Sequence, residues 1–131
     1  MDLQVSKLRE DFKGKHYLIT TSDNITLFLR AWEPSKKSNK AILILHGITA
    51  YSGPYETMGK PLSMLGFSVF GLDLRGHGLS DGKRGDYPSR KRLIMDLTET
   101  VTFLKQRFST LILLGHSLGV FSALITVNYC L

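Results

Sequence analysis

The sequence predicts an α/β fold in which a mostly parallel sheet carries helices on both faces. Three short apolar runs, 41–45, 67–72 and 111–114, lack polar alternation, which is typical of strands that are covered on both sides. The segments that follow them carry apolar residues at helical spacing, most clearly over Ser89–Phe108, where they recur at steps of four and three. Strands that alternate with helices indicate parallel pairing in a three-layer arrangement.

The remaining elements follow from shorter patterns. His16–Thr21 and Ile25–Trp32 are rich in β-branched and aromatic residues, and the Ser-Asp-Asn sequence between them favours the turn of a hairpin. Apolar spacing predicts further helices over Pro54–Leu65 and from Leu118 onward. Residues 1–15 are mixed and charged and show no strong period.

Composition excludes several classes of protein. The 131 residues are 43% hydrophobic and 21% charged, as in one ordinary globular domain rather than a disordered or collagen-like chain. Cys130 is the single cysteine, so we expect neither a disulfide framework nor a cysteine-rich zinc site. No basic region followed by an apolar stretch opens the chain, and we therefore expect a cytoplasmic, reducing compartment.

Two features of the sequence suggest a nucleic acid or a membrane as a partner, but neither feature is sufficient to predict one. The 17 Lys and Arg against 11 Asp and Glu give a charge of +6, but the basic residues form short clusters without a nucleic-acid motif, so we expect no nucleic acid. Ser109–Leu131 carries no charged side chain and is long enough to cross a bilayer. Its glycine-flanked interior favours a strand, a turn and a helix over a transmembrane segment.

Gly115-His116-Ser117-Leu118-Gly119 is a G-x-S-x-G sequence between a predicted strand and a predicted helix. A serine at such a sharp turn has a strained backbone, and its neighbours two residues away must be small for the chain to pass. The free N–H groups at the start of the helix favour negative charge that develops nearby. Ser117 is therefore the candidate nucleophile.

His46-Gly47-Ile48 follows the first buried strand and so lies at the same edge of a parallel sheet. Acyl transfer needs two N–H donors that converge on one oxygen. We expect these donors to be the backbone amides of Leu118 and Ile48. His46, Gly47 and His116 are expected to line the substrate site.

These motifs resemble the α/β-hydrolase superfamily, and within it the monoacylglycerol lipase and lysophospholipase group. The resemblance rests on His46-Gly47 with Ser52–Glu56, on Gly71–Gly82 and on Gly115–Gly119, and it covers Tyr17–Leu131. It implies a serine hydrolase that cleaves an acyl ester through an acyl-enzyme, without a cofactor or a metal. The glycine-rich loop around His77 is then a structural turn.

The sequence departs from this pattern in two respects. Val120 stands where the family usually has Gly or Ala, which is expected to tighten the packing behind the serine turn. The superfamily places an acid and then a histidine after the serine, whereas Leu118–Leu131 contains no Asp, Glu or His. Such folds commonly span roughly 250 residues, so residues 1–131 are interpreted as the amino-terminal half of the domain. We expect a complementary carboxyl-terminal half, or self-association through an open sheet edge. A non-catalytic binding or regulatory module with the same fold is the alternative.

Overall fold

The computed structural model describes residues 2–131, which form one five-stranded sheet and four α-helices. The elements in chain order are α1 (Leu3–Asp11), β1 (His16–Thr20), β2 (Thr26–Trp32), β3 (Lys40–Leu45), α2 (Glu56–Met64), β4 (Ser68–Asp73), α3 (Arg90–Lys105), β5 (Thr110–Gly115) and α4 (Gly119–Tyr129).

The strands lie in the order β1-β2-β4-β3-β5. β1 and β2 form the predicted antiparallel hairpin, with His16 opposite Arg30. β4 pairs antiparallel with β2 and parallel with β3, and β3 pairs parallel with β5. The sheet is therefore mixed, and its parallel part consists of the three strands predicted from the apolar runs. Leu45 pairs with Leu72 and Gly115, so the carboxyl ends of the parallel strands lie along one edge.

Alternate residues of the sheet pack against different helices, which gives the three predicted layers. Leu43 and Leu45 of β3 belong to a buried cluster that includes residues of α3 and α4. Ile42 and Ile44 belong to a second cluster, against which Leu62 of α2 packs. Both faces of β3 are thus covered by helices, which explains why its sequence is apolar without alternation.

The beginnings of two helices differ from the sequence-based prediction. Pro54 lies in a 3₁₀ turn, Gly53–Tyr55, that precedes α2. α1 was not predicted, because its sequence has no periodic apolar stripe. Its first turn is instead capped by the Asp2 side chain, which accepts from the Gln4 and Val5 amides, and Arg9 is buried. The Arg9 guanidinium lies 3.0 Å from an Asp81 carboxylate oxygen, so a long-range ion pair attaches this helix.

The uncharged stretch from Ser109 folds into β5, a turn and α4, as its glycines predicted. Among the described residues 2–131, no helix is both long and apolar enough to cross a bilayer. β5 is an edge strand here, and α4 exposes between 49% and 63% of five large apolar or aromatic side chains, namely Val120, Phe121, Leu124, Val127 and Tyr129.

Candidate active site

Ser117 lies in the tight turn between β5 and α4, at the carboxyl edge of the parallel strands. Its backbone is left-handed, with a φ of 55°, and its side chain is exposed. A left-handed conformation costs a residue with a side chain about 1–2 kcal/mol. The turn is fixed by hydrogen bonds from the Gly119 amide to the His116 carbonyl and from the Val120 amide to the Ser117 carbonyl. Ser117 therefore has the strained backbone conformation that the motif predicts.

The two glycines of the motif are required by close packing. A Cβ atom at Gly119 would overlap the Leu45 carbonyl oxygen at the end of β3. A Cβ atom at Gly115 would lie 2.6 Å from the Val120 Cα atom, inside van der Waals contact. The small residues thus allow α4 to begin directly against the sheet, with Ser117 at the apex of the turn.

The loop after β3 lies beside this turn. A Cβ atom at Gly47 would be 3.3 Å from the Leu118 amide nitrogen and 3.5 Å from the Ser117 Cβ atom. Thr49 also has a left-handed backbone, with a φ of 60°, and the Ala50 amide donates to the Gly47 carbonyl. Within residues 2–131, the amides of Leu118 and Ile48 donate to no other protein group.

His46 connects the ends of β3 and β4 and is 1% exposed. Its Nε2 atom accepts from the Leu74 amide at 3.0 Å, so the ring proton is assigned to Nδ1, which donates to the Gly47 carbonyl at 2.7 Å. Burial lowers the pKa of His46 below its ordinary value. A neutral imidazole with both nitrogens engaged fixes the position of the Gly47 loop.

His116 lies on the other side of the turn and is exposed. Its Nδ1 atom is 3.1 Å from the hydroxyl oxygen of Tyr55, whose buried ring meets it edge-on at 5.8 Å. Burial raises the pKa of Tyr55, so its hydroxyl keeps its proton, and the tautomer of His116 decides which of the two groups donates. The contact anchors the serine turn to the 3₁₀ turn before α2. Sequence reasoning found no role for Tyr55, because nothing local links it to His116.

An apolar cavity of about 220 Å³ opens beside the Gly47 loop and the first turn of α4. His46 and Gly47 border it, whereas His116 does not. Burial raises the pKa of Tyr87 in its wall, and the hydroxyl of this residue accepts from the Arg75 amide at 3.1 Å. The other residues that line the cavity are Ile48, Leu74, His77, Leu93, Leu118, Phe121 and Ser122.

Comparison with known proteins identifies the family. Residues 36–131 match the hydrolase family described as "Serine aminopeptidase, S33". The chain belongs to this family. It is also 32% identical over 110 residues to human monoglyceride lipase, a match that covers 82% of this chain and 36% of the lipase.

Solved structures show the same fold. An α/β hydrolase from Penicillium superposes with a TM-score of 0.78 at 22% identity, over 90% of this chain and 42% of the other. An esterase from Pyrococcus furiosus gives a TM-score of 0.73 at 27% identity, over 93% of this chain and 47% of the other. The chain therefore has the α/β-hydrolase fold and spans less than half the length of these three proteins.

In this S33 family member the glycine-rich loop after β4 has structural contacts throughout. The Asp73 carboxylate accepts from the Ser52 amide at 2.6 Å and from the Leu79 amide at 2.9 Å. Gly78 has a φ of 50°, and a side chain there would collide with that carboxylate. His77 lies 2.9 Å from the Arg75 carbonyl through Nδ1. These contacts agree with the structural role expected for the loop.

None of the four histidines of this S33 chain contacts the Ser117 hydroxyl, which has no hydrogen-bond partner among residues 2–131. His46, His77 and His116 are engaged as described, and His16 stacks on Phe28 far along the sheet. The structure thus brings the serine turn and the Gly47 loop together without placing a base beside the serine.

Proposed function

We propose that this chain carries the nucleophile and the oxyanion-binding amides of a carboxylic-ester hydrolase. The observation that carries the proposal is the position of Gly47 against the Leu118 amide, beside a serine with a left-handed backbone. In the proposed reaction the Ser117 oxygen attacks the ester carbonyl carbon. The amides of Leu118 and Ile48 stabilise the resulting oxyanion, and the alcohol leaves to give an acyl-enzyme that water hydrolyses.

The cavity beside the Gly47 loop supports an apolar acyl group as the part of the substrate that binds here. Apart from two histidines, Tyr87 and Ser122, its lining is aliphatic or aromatic or comes from Gly47, and it adjoins the Leu118 amide. Human monoglyceride lipase, with 32% identity, makes a monoacylglycerol the first substrate to test, and a lysophospholipid would present the same acyl ester. Cavities that bind such ligands are concave and mainly apolar.

The proposed mechanism needs a general base from protein outside these residues. A serine hydroxyl is a weak nucleophile at neutral pH without an adjacent base, and Leu118–Leu131 contains no Asp, Glu or His. The exposed apolar side of α4 and the open edge of β5 offer a surface on which the rest of a hydrolase fold would pack. The chain covers 36% of the human lipase, which leaves room for an acid and a histidine there.

Labelling with a fluorophosphonate probe tests the proposal. We expect the 131-residue chain to label weakly, a protein that also contains the carboxyl-terminal part of the fold to label strongly, and Ser117→Ala to abolish the label in both. Ser109→Ala, which changes an exposed serine away from the turn, is the matched control and keeps the label.

Two results would overturn parts of this proposal. Strong labelling of Ser117 in the isolated chain would show that no external base is required. Absence of labelling in the longer protein would reject the nucleophile and favour the alternative, a binding or regulatory module that retains the hydrolase fold. The missing base among residues 2–131 is the observation behind that alternative.

A further inference from the structure

A broad groove lies at the opposite edge of the sheet from Ser117, where the parallel strands begin. It is formed by the loop 33–40 before β3, the turn 63–67 between α2 and β4, and Arg107 after α3, and it has a volume of about 970 Å³. Strands of six residues separate the two edges, a span of about 20 Å. The groove is therefore distinct from the candidate active site.

The groove has an unbalanced positive charge. Lys36, Lys37, Lys40 and Arg107 are all exposed, and none forms an ion pair among residues 2–131. The one acidic residue of its lining, Glu33, is already engaged by other groups: its carboxylate lies 2.8 Å from the Lys15 ammonium and accepts from the Tyr17 hydroxyl. The three lysines thus face solvent within one concave surface, and Arg107 adds its charge while it stacks on the Phe103 ring at 3.7 Å and donates to the Phe103 carbonyl at 2.8 Å.

Two large apolar side chains project beside these cations. Met64 and Leu65 are 87% and 74% exposed at the end of α2, the two highest values among the large apolar residues after α1. Their positions are fixed by a tight turn, in which Leu65 donates to the Pro61 carbonyl and Gly66 has a φ of 99°. Exposed apolar side chains at a rigid turn bordered by cations form an amphipathic surface.

We propose that this surface, the basic edge (Lys36, Lys37, Lys40, Met64, Leu65 and Arg107), docks onto an anionic lipid bilayer. Lys and Arg near such a membrane are attracted by its negative surface potential. Apolar side chains such as Met and Leu are stabilised when they leave water and enter the headgroup region. A single-stranded nucleic acid would stack its bases on exposed aromatic rings, whereas Phe67, the aromatic residue of the groove lining, is half-buried and packs against the core. The combination at this edge therefore favours lipid, and docking there keeps the Ser117 edge on the side away from the membrane.

Flotation with lipid vesicles tests this proposal without measuring hydrolysis. We expect the chain to float with phosphatidylcholine vesicles that contain about 30% phosphatidylserine and not to bind vesicles of phosphatidylcholine alone. Each Lys contributes about fivefold, so Lys36→Ala/Lys37→Ala/Lys40→Ala lowers the partition constant on the order of a hundredfold. Met64→Ser/Leu65→Ser lowers it about tenfold. Circular dichroism checks that both variants, which change only exposed side chains, remain folded.

A charge-matched control distinguishes binding through the basic edge from the general attraction of a positively charged protein to an anionic membrane. Lys13→Ala/Lys83→Ala/Lys91→Ala removes three exposed lysines outside the basic edge and should lower binding far less. An equal loss in the control, or no binding to anionic vesicles at about 50 mM salt, would overturn the proposal. A loss with the lysine variant but none with Met64→Ser/Leu65→Ser, together with binding to a single-stranded oligonucleotide, would replace lipid by a polyanion.

Discussion

Backbone packing at single residues determines the geometry of the serine turn. Ser117 has a left-handed backbone because α4 begins within contact of the end of β3, and this approach is possible only with hydrogen atoms in place of side chains at Gly115 and Gly119. The spacing of small residues around the serine was readable in the sequence. The contact of Tyr55 with His116 was not, because it joins residues 61 positions apart.

At this scale we predict that Gly119→Ala lowers the free energy of unfolding by about 3 kcal/mol. The new Cβ atom would overlap the Leu45 carbonyl, which belongs to a central strand and cannot move freely. Gly85→Ala is the control: Gly85 has a φ of 75° but open space around it, so only the conformational cost of about 1 kcal/mol applies. Urea unfolding measures both changes, and equal losses would contradict the packing argument.

A cluster of ion pairs adds to the apolar packing between α3, the hairpin and β4. Arg75, just after β4, binds Asp96 of α3 through Nε at 2.9 Å and Asp23 of the hairpin turn through a second nitrogen at 2.7 Å. Arg92 of α3 binds the same Asp96 at 2.8 Å and Glu99 at 3.2 Å. These hydrogen bonds from Arg75 lower the pKa of Asp23 and keep it ionised. The cluster thus fixes α3 against the hairpin and the end of β4.

For this cluster we predict that Asp96→Ala lowers the free energy of unfolding by about 3–5 kcal/mol. Asp96 is completely buried between two guanidinium groups, and its removal leaves two largely buried cations without their shared partner. Asp86→Ala, at an exposed residue without an ion pair among the described residues, should change stability by no more than about 0.5 kcal/mol. A small loss for Asp96→Ala would show that the cluster contributes little to stability.

Elements were predictable from the sequence where local pattern and tertiary packing agree. β3, β4 and β5 are unbroken apolar runs and α3 carries a helical period, so their positions were predicted within a few residues. The apolar run of β5 also predicted a covered strand, whereas Ile112 is 41% exposed at this edge. α1 lacks such a period, since its attachment depends on Arg9 meeting Asp81, 72 residues away. The insertion of β4 between β2 and β3 has no local signal either, because strand order depends on how the connections pack.

For the whole chain, the distribution of exposed apolar surface is uneven. The core clusters cover both faces of the central strands, yet α4 exposes Leu124 by 63% and Val127 by 58%, and Ile112 of β5 is 41% exposed. In soluble proteins large contiguous apolar patches and unpaired strand edges are usually covered by other protein. In the proposed hydrolase, the carboxyl-terminal part of the fold covers this side.

It follows that the 131-residue chain by itself should associate with its own copies through the uncovered side. Sedimentation velocity over a range of concentrations is expected to show dimers or larger species, and Leu124→Lys/Val127→Lys should shift the chain toward the monomer, because buried charge in an apolar contact is costly. Leu18→Lys, at a residue 51% exposed on β1, is the matched control and should leave association unchanged. A chain that stays monomeric at all concentrations would contradict the prediction.

Loss of association in the α4 variant, with association retained in the control, would show that the copies contact one another through α4. This is the same surface that the rest of the hydrolase fold is proposed to cover.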